Sequence, residues 1–236
     1  MEPLKQKLRS TSGGKILDVA TGTGGFIMDL VDAFHSYRHA VGIDSSPQIV
    51  NFAKTKANGD NIQFKVMNAE KLAFKNDAFD TVAVRHSLHH FHRAQLVLAE
   101  MKRVLKVGGL FIICEAIQDK KAKGPNPHIA IHHWFAEIDR ANGITHNEML
   151  TWREIVALAQ TLDLRGLELF EHSQPKSNSN HKHILDSFAH KCDVYVDRIK
   201  DNPKLKHLVN RGVQLKSALY NSDFSWGPDV YVLGWK

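Results

Sequence analysis

The sequence predicts an α/β fold built on a mostly parallel seven-stranded sheet, and three observations carry that prediction. Short apolar runs alternate with helix-like segments through the first half, a pattern that places helices on both faces of a parallel sheet. The first of these runs ends in a glycine-rich turn, Asp18-Val19-Ala20-Thr21-Gly22-Thr23-Gly24-Gly25. The second ends in an acid, Asp44.

Taken in order, Lys15 to Ala20 reads as a buried strand, and a helix follows from about Gly25 to Phe34. Ala40 to Asp44 is the second strand. Ser46-Pro47 then opens a helix, because Ser46 can accept from orphan N–H groups and Pro47 suits the first helical position. Ile62 to Met67 and Phe79 to Arg85 are the third and fourth strands. A helix over Gln95 to Leu105 leads through a Gly108-Gly109 turn into a fifth strand, Leu110 to Glu115.

The second half changes character. Asn126-Pro127 is a cap-plus-proline helix start. Ile131, Trp134, Phe135 and Ile138 recur at i, i+3, i+4 and i+7, one apolar helix face that ends near Gly143. Thr151-Trp152-Arg153-Glu154 is a capping box before Ile155 and Leu158. Leu167 to Phe170 and Val230 to Trp235 read as the last two strands. Between them lie a polar stretch, Ser173 to Asn180, and helices over about 182–200 and 203–220. A connection of that length should hold structure of its own. The chain therefore reads as a single domain over 1–236. Its core spans about 14–115, and helical insertions span about 116–150 and 176–224.

Composition narrows the class. The chain has 236 residues, 43% hydrophobic and 24% charged, values of an ordinary globular protein. Its opening residues, MEPLKQKLRS, hold no apolar run, so no signal peptide is expected, and no apolar stretch of the sequence is long enough to predict a membrane span. With only Cys114 and Cys192, a disulfide framework is not expected, and a cytoplasmic location fits. Cys114 lies inside an apolar run and reads as core packing. The net charge is +6. Its cations are spread along the chain, with Lys120, Lys121 and Lys123 the nearest thing to a patch, so nucleic acid is not the expected partner.

The glycine-rich turn stands where open α/β sheets bind ligands, at the carboxyl end of a strand. A backbone that bends tightly and lets a ligand approach needs residues without bulk. Asp44 could accept from both hydroxyls of a ribose, as acids at this place also do in dinucleotide sites. Two details argue against a dinucleotide. The third glycine of G-x-G-x-x-G is missing, since Ile27 stands at its place. Asp18, at the end of the first strand, would repel a pyrophosphate but would attract the ammonium of an amino acid. The matching ligand is a sulfonium that carries an amino acid and no phosphate.

Five segments in this order, ILDVATGTGG, VGIDSSPQIV, NAEKLAF, FDTVAVRHSLHHF and EMKRVLKVGGLFIICE, resemble the class I S-adenosylmethionine-dependent methyltransferases. The branch they are most similar to is that of the ubiquinone/menaquinone biosynthesis C-methyltransferases. The resemblance runs from about Lys15 to Glu115, less than half of the chain. It implies a Rossmann-like sheet whose last strand is antiparallel, S-adenosylmethionine as cofactor and S-adenosylhomocysteine as product. It also implies roles. Asp18 would reach the methionyl ammonium. Ala20, Gly22 and Gly24, with Thr21 in the same turn, would form the floor under the cofactor. Asp44 would hold the ribose, with Ser45 beside the adenine, and Asn68 and Ala69 would face the adenine edge. His86 would lie near the methionine moiety. The sequence departs from the pattern at Ala20, often glycine, at Asn68, often aspartate, and at Ala73 and Val107, usually proline.

Methyl transfer is an in-line displacement that requires orientation more than a dedicated catalytic group. A base is needed only where the acceptor keeps its proton. The candidates are His89, in the run Arg85 to His92, and His133 and Glu137, i, i+4 neighbours on the polar face of the helix from Pro127. His128, His132 and Arg140 share that face, and Asp139 and His146 are further pocket candidates. His128-x3-His132 is the only metal-like spacing, without a third ligand, and no metal is expected. The expected partner is a small-molecule methyl acceptor. The alternatives are an RNA or protein methyltransferase and a non-catalytic module that only binds the cofactor. Neither the acceptor atom nor the oligomeric state is legible.

Overall fold

The strand–helix alternation of the first half is realised as a mixed sheet. The computed structural model describes residues 1–56, 61–118, 126–173, 181–221 and 226–236. Lys120, Lys121, Lys123 and residues 174–180 of the polar stretch lie outside them. The chain divides into two compact units. The first is built from Met1–Glu115, Trp152–His172 and Asp229–Lys236, the second from Ala116–Thr151 and Ser173–Pro228.

The first unit holds all seven strands: β1 (Ser12–Val19), β2 (Ser36–Asp44), β3 (Ile62–Val66), β4 (Phe79–Arg85), β5 (Leu105–Ala116), β6 (Arg165–His172) and β7 (Asp229–Trp235). Their order is β3-β2-β1-β4-β5-β7-β6. The pairs from β3 to β5 are parallel, and β7 runs antiparallel to both its neighbours. The order reverses between β1 and β4, and that switch point is where an open sheet of this kind leaves a crevice at its carboxyl edge. The helices α1 (Glu2–Leu8), α2 (Gly25–Ala33), α3 (Pro47–Lys56), α4 (Ala94–Val104) and α6 (Trp152–Gln160) complete the unit, together with a single 3-10 turn at Leu88–His90.

The helices begin and face where local chemistry places them. Ser46 Oγ accepts from the N–H of Ile49 at 3.3 Å, the expected cap of α3. In α2, Phe26, Ile27, Leu30 and Ala33 turn inward onto Ile16, Ala40 and Phe64 of the sheet. The short α1 does the same with Leu4 and Leu8, both fully buried. Two apolar positions in a charged decapeptide are too few to show periodicity, which is why this helix is not visible in the sequence.

One expectation needs correction. Gly108-Gly109 is not a turn that precedes the fifth strand, because β5 already begins at Leu105. Against β4 the register jumps from Leu105 opposite Phe79 to Leu110 opposite Thr81. The intervening residues pair instead with the end of β7. Gly108 N–H donates to the carbonyl of Lys236 at 2.7 Å, and Lys236 N–H donates to that of Gly109 at 3.1 Å.

The second unit is helical. It contains α5 (Pro127–Ala141), α7 (His181–Ile199), a 3-10 turn at Pro203–Leu205 and α8 (Lys206–Asn221). Asn126 caps α5 by accepting from the N–H of His128 at 2.9 Å. Ile131, Trp134, Phe135 and Ile138 form the core with Leu185, Ala189 and Cys192 of α7 and Leu208 and Leu219 of α8. The Trp134 indole N–H donates to the carbonyl of Leu208 at 2.9 Å. A Cβ on Gly212 would stand 2.4 Å from the same indole, so only glycine lets α8 approach here. No helix among the described residues is long and apolar enough to cross a membrane.

Candidate functional site

The turn after β1 is shaped by backbone conformations that most side chains avoid. Ala20, Gly22 and Gly24 all have left-handed φ values, 56°, 54° and 84°. Ala20 carries only a methyl group into this conformation, and the bend is kept. The turn is tied to β2 through two adjacent residues, Thr21 and Gly22. Thr21 N–H donates to the carbonyl of Ile43 at 2.8 Å. Asp44 accepts from Gly22 N–H at 3.1 Å and from Ser46 N–H at 3.0 Å. Asp44 therefore fixes the loop and the start of α3, and its half-buried carboxylate keeps further acceptor capacity.

Asp18 sits beneath this loop, 1% exposed. Its Oδ2 accepts from the Thr21 hydroxyl at 2.5 Å, while Oδ1 is buried with no hydrogen-bond partner. Burial pushes its pKa up to about 7, against the pull of Thr21 and of Arg85. An orphaned carboxylate oxygen is costly unless something supplies a donor. Above it the loop is open: a Cβ on Gly22 or Gly25 would meet nothing within 4 Å among the described residues. A cationic donor resting on this loop would satisfy Asp18 and lower its pKa.

The other expected cofactor residues occupy the same edge of the sheet. Ser45 is exposed beside Asp44. Asn68 is exposed and closes a turn, accepting from Glu70 N–H at 2.9 Å, with the half-buried Ala69 within that turn. His86 follows β4 in a left-handed conformation, φ 47°. Its Nε2 is 2.8 Å from Asp229 Oδ1, at the start of β7.

The candidate proton-transfer residues divide between the units. His89, in the first unit, is 4% exposed, and its Nδ1 lies 2.9 Å from Glu115 Oε1. The other oxygen of Glu115 accepts from the N–H groups of Ser87 and Leu88 at 3.0 and 2.9 Å. Glu115 thus shapes the whole turn after β4. In the second unit, His133 is 3.8 Å from Glu148, and Glu137 accepts from Arg211 at 2.9 Å. The polar face of α5 is only partly solvated. His128 and Asp139 on it are buried, and His128 packs edge-on against Trp226 and Phe188. Asp139 accepts from His146 at 2.8 Å, Tyr195 at 2.8 Å and Arg198 at 3.0 Å. Burial opposes its charge, but those three donors outweigh burial and hold its carboxyl below the usual range.

Sequence reasoning missed Asp229 and Glu115 as partners of His86 and His89. Glu115 carried a signal, an acid at the end of an otherwise apolar strand. Asp229 carried none, since 143 positions separate it from His86.

Comparison with known proteins bears on the same stretch of chain. Residues 17–113 match the family model described as a methyltransferase domain. The domain so defined takes in the loop, Asp44, the turn after β4 and most of β5. The ubiquinone/menaquinone biosynthesis C-methyltransferase of Allorhizobium ampelinum is 32% identical over 111 residues, 45% of this chain and 43% of that protein. The matched stretch thus spans less than half the length of such relatives. Among solved structures, the YcgJ protein of Bacillus subtilis superposes with a TM-score of 0.66 at 17% identity, covering 100% of this chain and 97% of that one. A phosphoethanolamine N-methyltransferase of Haemonchus contortus, solved with S-adenosylhomocysteine, gives 0.60 at 17% identity, over 99% of this chain and 51% of that one. These likenesses establish the Rossmann-like methyltransferase fold.

Proposed function

We propose that this chain is a cytoplasmic S-adenosylmethionine-dependent methyltransferase that acts on a small-molecule acceptor. The observation that carries the reading is Asp18, a buried carboxylate with an orphaned oxygen beneath an open glycine loop. The cofactor supplies a methyl group already activated by a sulfonium, and its amino-acid tail supplies the missing donor. Asp18 and Thr21 would bind the ammonium. Ala20, Gly22 and Gly24 would let the backbone approach. Asp44 would accept from the ribose, with Ser45, Asn68 and Ala69 around the adenine and His86 toward the methionine end. Holding acceptor and methyl in line can contribute about 7–11 kcal/mol to lowering the barrier, so no dedicated catalytic group is required.

The reading treats residues 1–236 as one enzyme, in which the helical segments 116–150 and 176–224 carry acceptor recognition. Both segments interrupt the sheet at the carboxyl ends of β5 and β6, the edge at which its ligand crevice opens. His89, His133 and Glu137 remain the candidates for an acceptor base. His89 has the best-defined orientation of the three, since Glu115 holds its Nδ1.

Isothermal titration tests the reading directly. The protein should bind one equivalent of S-adenosylmethionine and of S-adenosylhomocysteine in the micromolar range and should not bind NAD. Asp44→Ala should weaken binding at least tenfold. Binding of NAD alone, or of neither sulfur compound, would remove the proposal. Affinity for RNA that falls steeply with salt would favour a nucleic-acid acceptor instead.

A further inference from the structure

We infer that the first unit holds a site for one divalent metal ion of the zinc class, bound by a ring nitrogen of His86, the Sγ of Cys114 and a carboxylate oxygen of Asp229. The inference stands on the donors themselves and does not depend on the methyl-transfer reading.

Three strands bring these residues together. His86 follows the end of β4, Cys114 lies near the end of β5, and Asp229 opens β7, which pairs with β5. The backbone fixes the first two, since His86 N–H donates to the carbonyl of Cys114 at 2.9 Å. One potential ligand atom from each residue lies within 4.8 Å of the other two. Donors around a tetrahedral zinc ion stand roughly 3.3–3.8 Å apart, given bond lengths of about 2.0 Å to nitrogen or oxygen and 2.3 Å to sulfur. The donors would therefore have to draw together by about 1 Å.

A second observation points to a ligand. Asp229 is 4% exposed, and its Oδ2 is buried with no hydrogen-bond partner, although Oδ1 faces His86 Nε2 at 2.8 Å. A carboxylate left half-satisfied in the interior calls for a donor or a cation. Nitrogen, thiolate and carboxylate together are the donor mixture that zinc accepts, and a bound ion deprotonates the thiol it takes. Three protein donors leave a fourth position open to water or to another heteroatom. His86, half-exposed, gives the cluster a route to solvent. The neighbouring charges are compatible. Arg85 is the nearby cation, and it is engaged by Asp29 at 3.0 Å. Tyr231 lies against Cys114, and the N-terminal amine contributes only a long-range field at Asp229.

Titration of the full chain with cobalt(II), followed by zinc displacement, tests the inference. With fifteen histidines, the chain can take up metal at adventitious places, so the readout is the near-ultraviolet thiolate-to-cobalt charge-transfer band. We expect one equivalent of cobalt with that band. Cys114→Ser should abolish the band and weaken zinc binding by about 100-fold or more, while Cys192→Ser, in the second unit, should leave both unchanged. Asp229→Asn and His86→Gln should each weaken zinc at least tenfold. Thermal melts of each variant establish that it folds. Should Cys114→Ser fail to fold, His86→Gln, at the most exposed of the three positions, decides the matter. A wild-type chain without the band, a band that survives in folded Cys114→Ser, or an unchanged zinc affinity in His86→Gln would overturn the site.

Discussion

Asp139 and Asp18 are both buried, one in each unit, and the two are treated in opposite ways. Asp139, in the helical unit, has three donors, and its carboxyl is held below the ordinary range. Asp18, in the sheet unit, has one donor and an orphaned oxygen, and burial raises it to about 7. A satisfied buried carboxylate ties helices together, whereas a half-satisfied one costs stability until a ligand arrives. The contrast separates a carboxylate whose partners the fold supplies from one whose partners it leaves incomplete.

The largest effect expected from breaking this contrast is at Asp139. Asp139→Ala leaves Arg198, His146 and Tyr195 without their shared acceptor, and should destabilise the protein by about 3–5 kcal/mol in urea unfolding. A loss below about 1 kcal/mol would mean that the network does not hold α5 to α7. At Asp18 the sign reverses. A carboxyl whose pKa rises from 3.8 to about 7 on folding binds more protons folded than unfolded between those values. Stability should therefore fall as pH rises through that window, and by pH 8 the penalty is on the order of 4 kcal/mol. Asp18→Asn should remove the slope and make the ligand-free protein more stable at pH 8, by about 2 kcal/mol once the cost of burying the amide is allowed for. The same variant should bind S-adenosylmethionine at least 100-fold more weakly. A melting temperature at pH 8 that is unchanged or lower would show that Asp18 is not strained in the free protein.

Asp139 titrates in the other direction. Its contribution is complete above the ordinary carboxyl range and is lost as pH falls through its lowered value, so acid should loosen the helical unit. Gly212→Ala places a methyl against Trp134 and should cost about 1–3 kcal/mol, with a change in tryptophan emission. The smallest expected effect is at the surface of the sheet unit. Ser46→Ala removes one cap of α3 and should lower stability by about 1 kcal/mol in the same urea titration.

The same two aspartates show what a sequence can and cannot reveal. Asp18, the glycine turn and Asp44 were legible because their demands are local. A left-handed turn needs small residues, and an acid at a strand end has few reasons to be there. Asp139 was read only as a pocket candidate, because its partners come from α7 and from the chain beyond α5. A polar stripe opposite an apolar one fits a pocket wall and a solvated face equally well, so the sequence could not tell which the helix face carrying it would be. In the fold that stripe is partly covered: His128 and Asp139 are buried, Glu137 meets Arg211 of α8, and His133 lies near Glu148 in the chain after α5. Strand positions were legible from apolar runs, but β5, β6 and β7 proved longer than those runs. Their flanking residues are held by backbone pairing, which leaves no mark on hydrophobicity.

The placement of β7 bears on how the chain is made. β5 and β6 do not pair with each other; β7 lies between them. During synthesis both strands emerge long before residues 229–235 exist, so the nascent chain carries two open hydrogen-bonding edges while the intervening helices are being translated. The sheet can close only when its last strand arrives. Until then the chain should depend on chaperones more than its size suggests, and a break in translation after α8 should release an aggregation-prone product in which α1 to α4 are already formed.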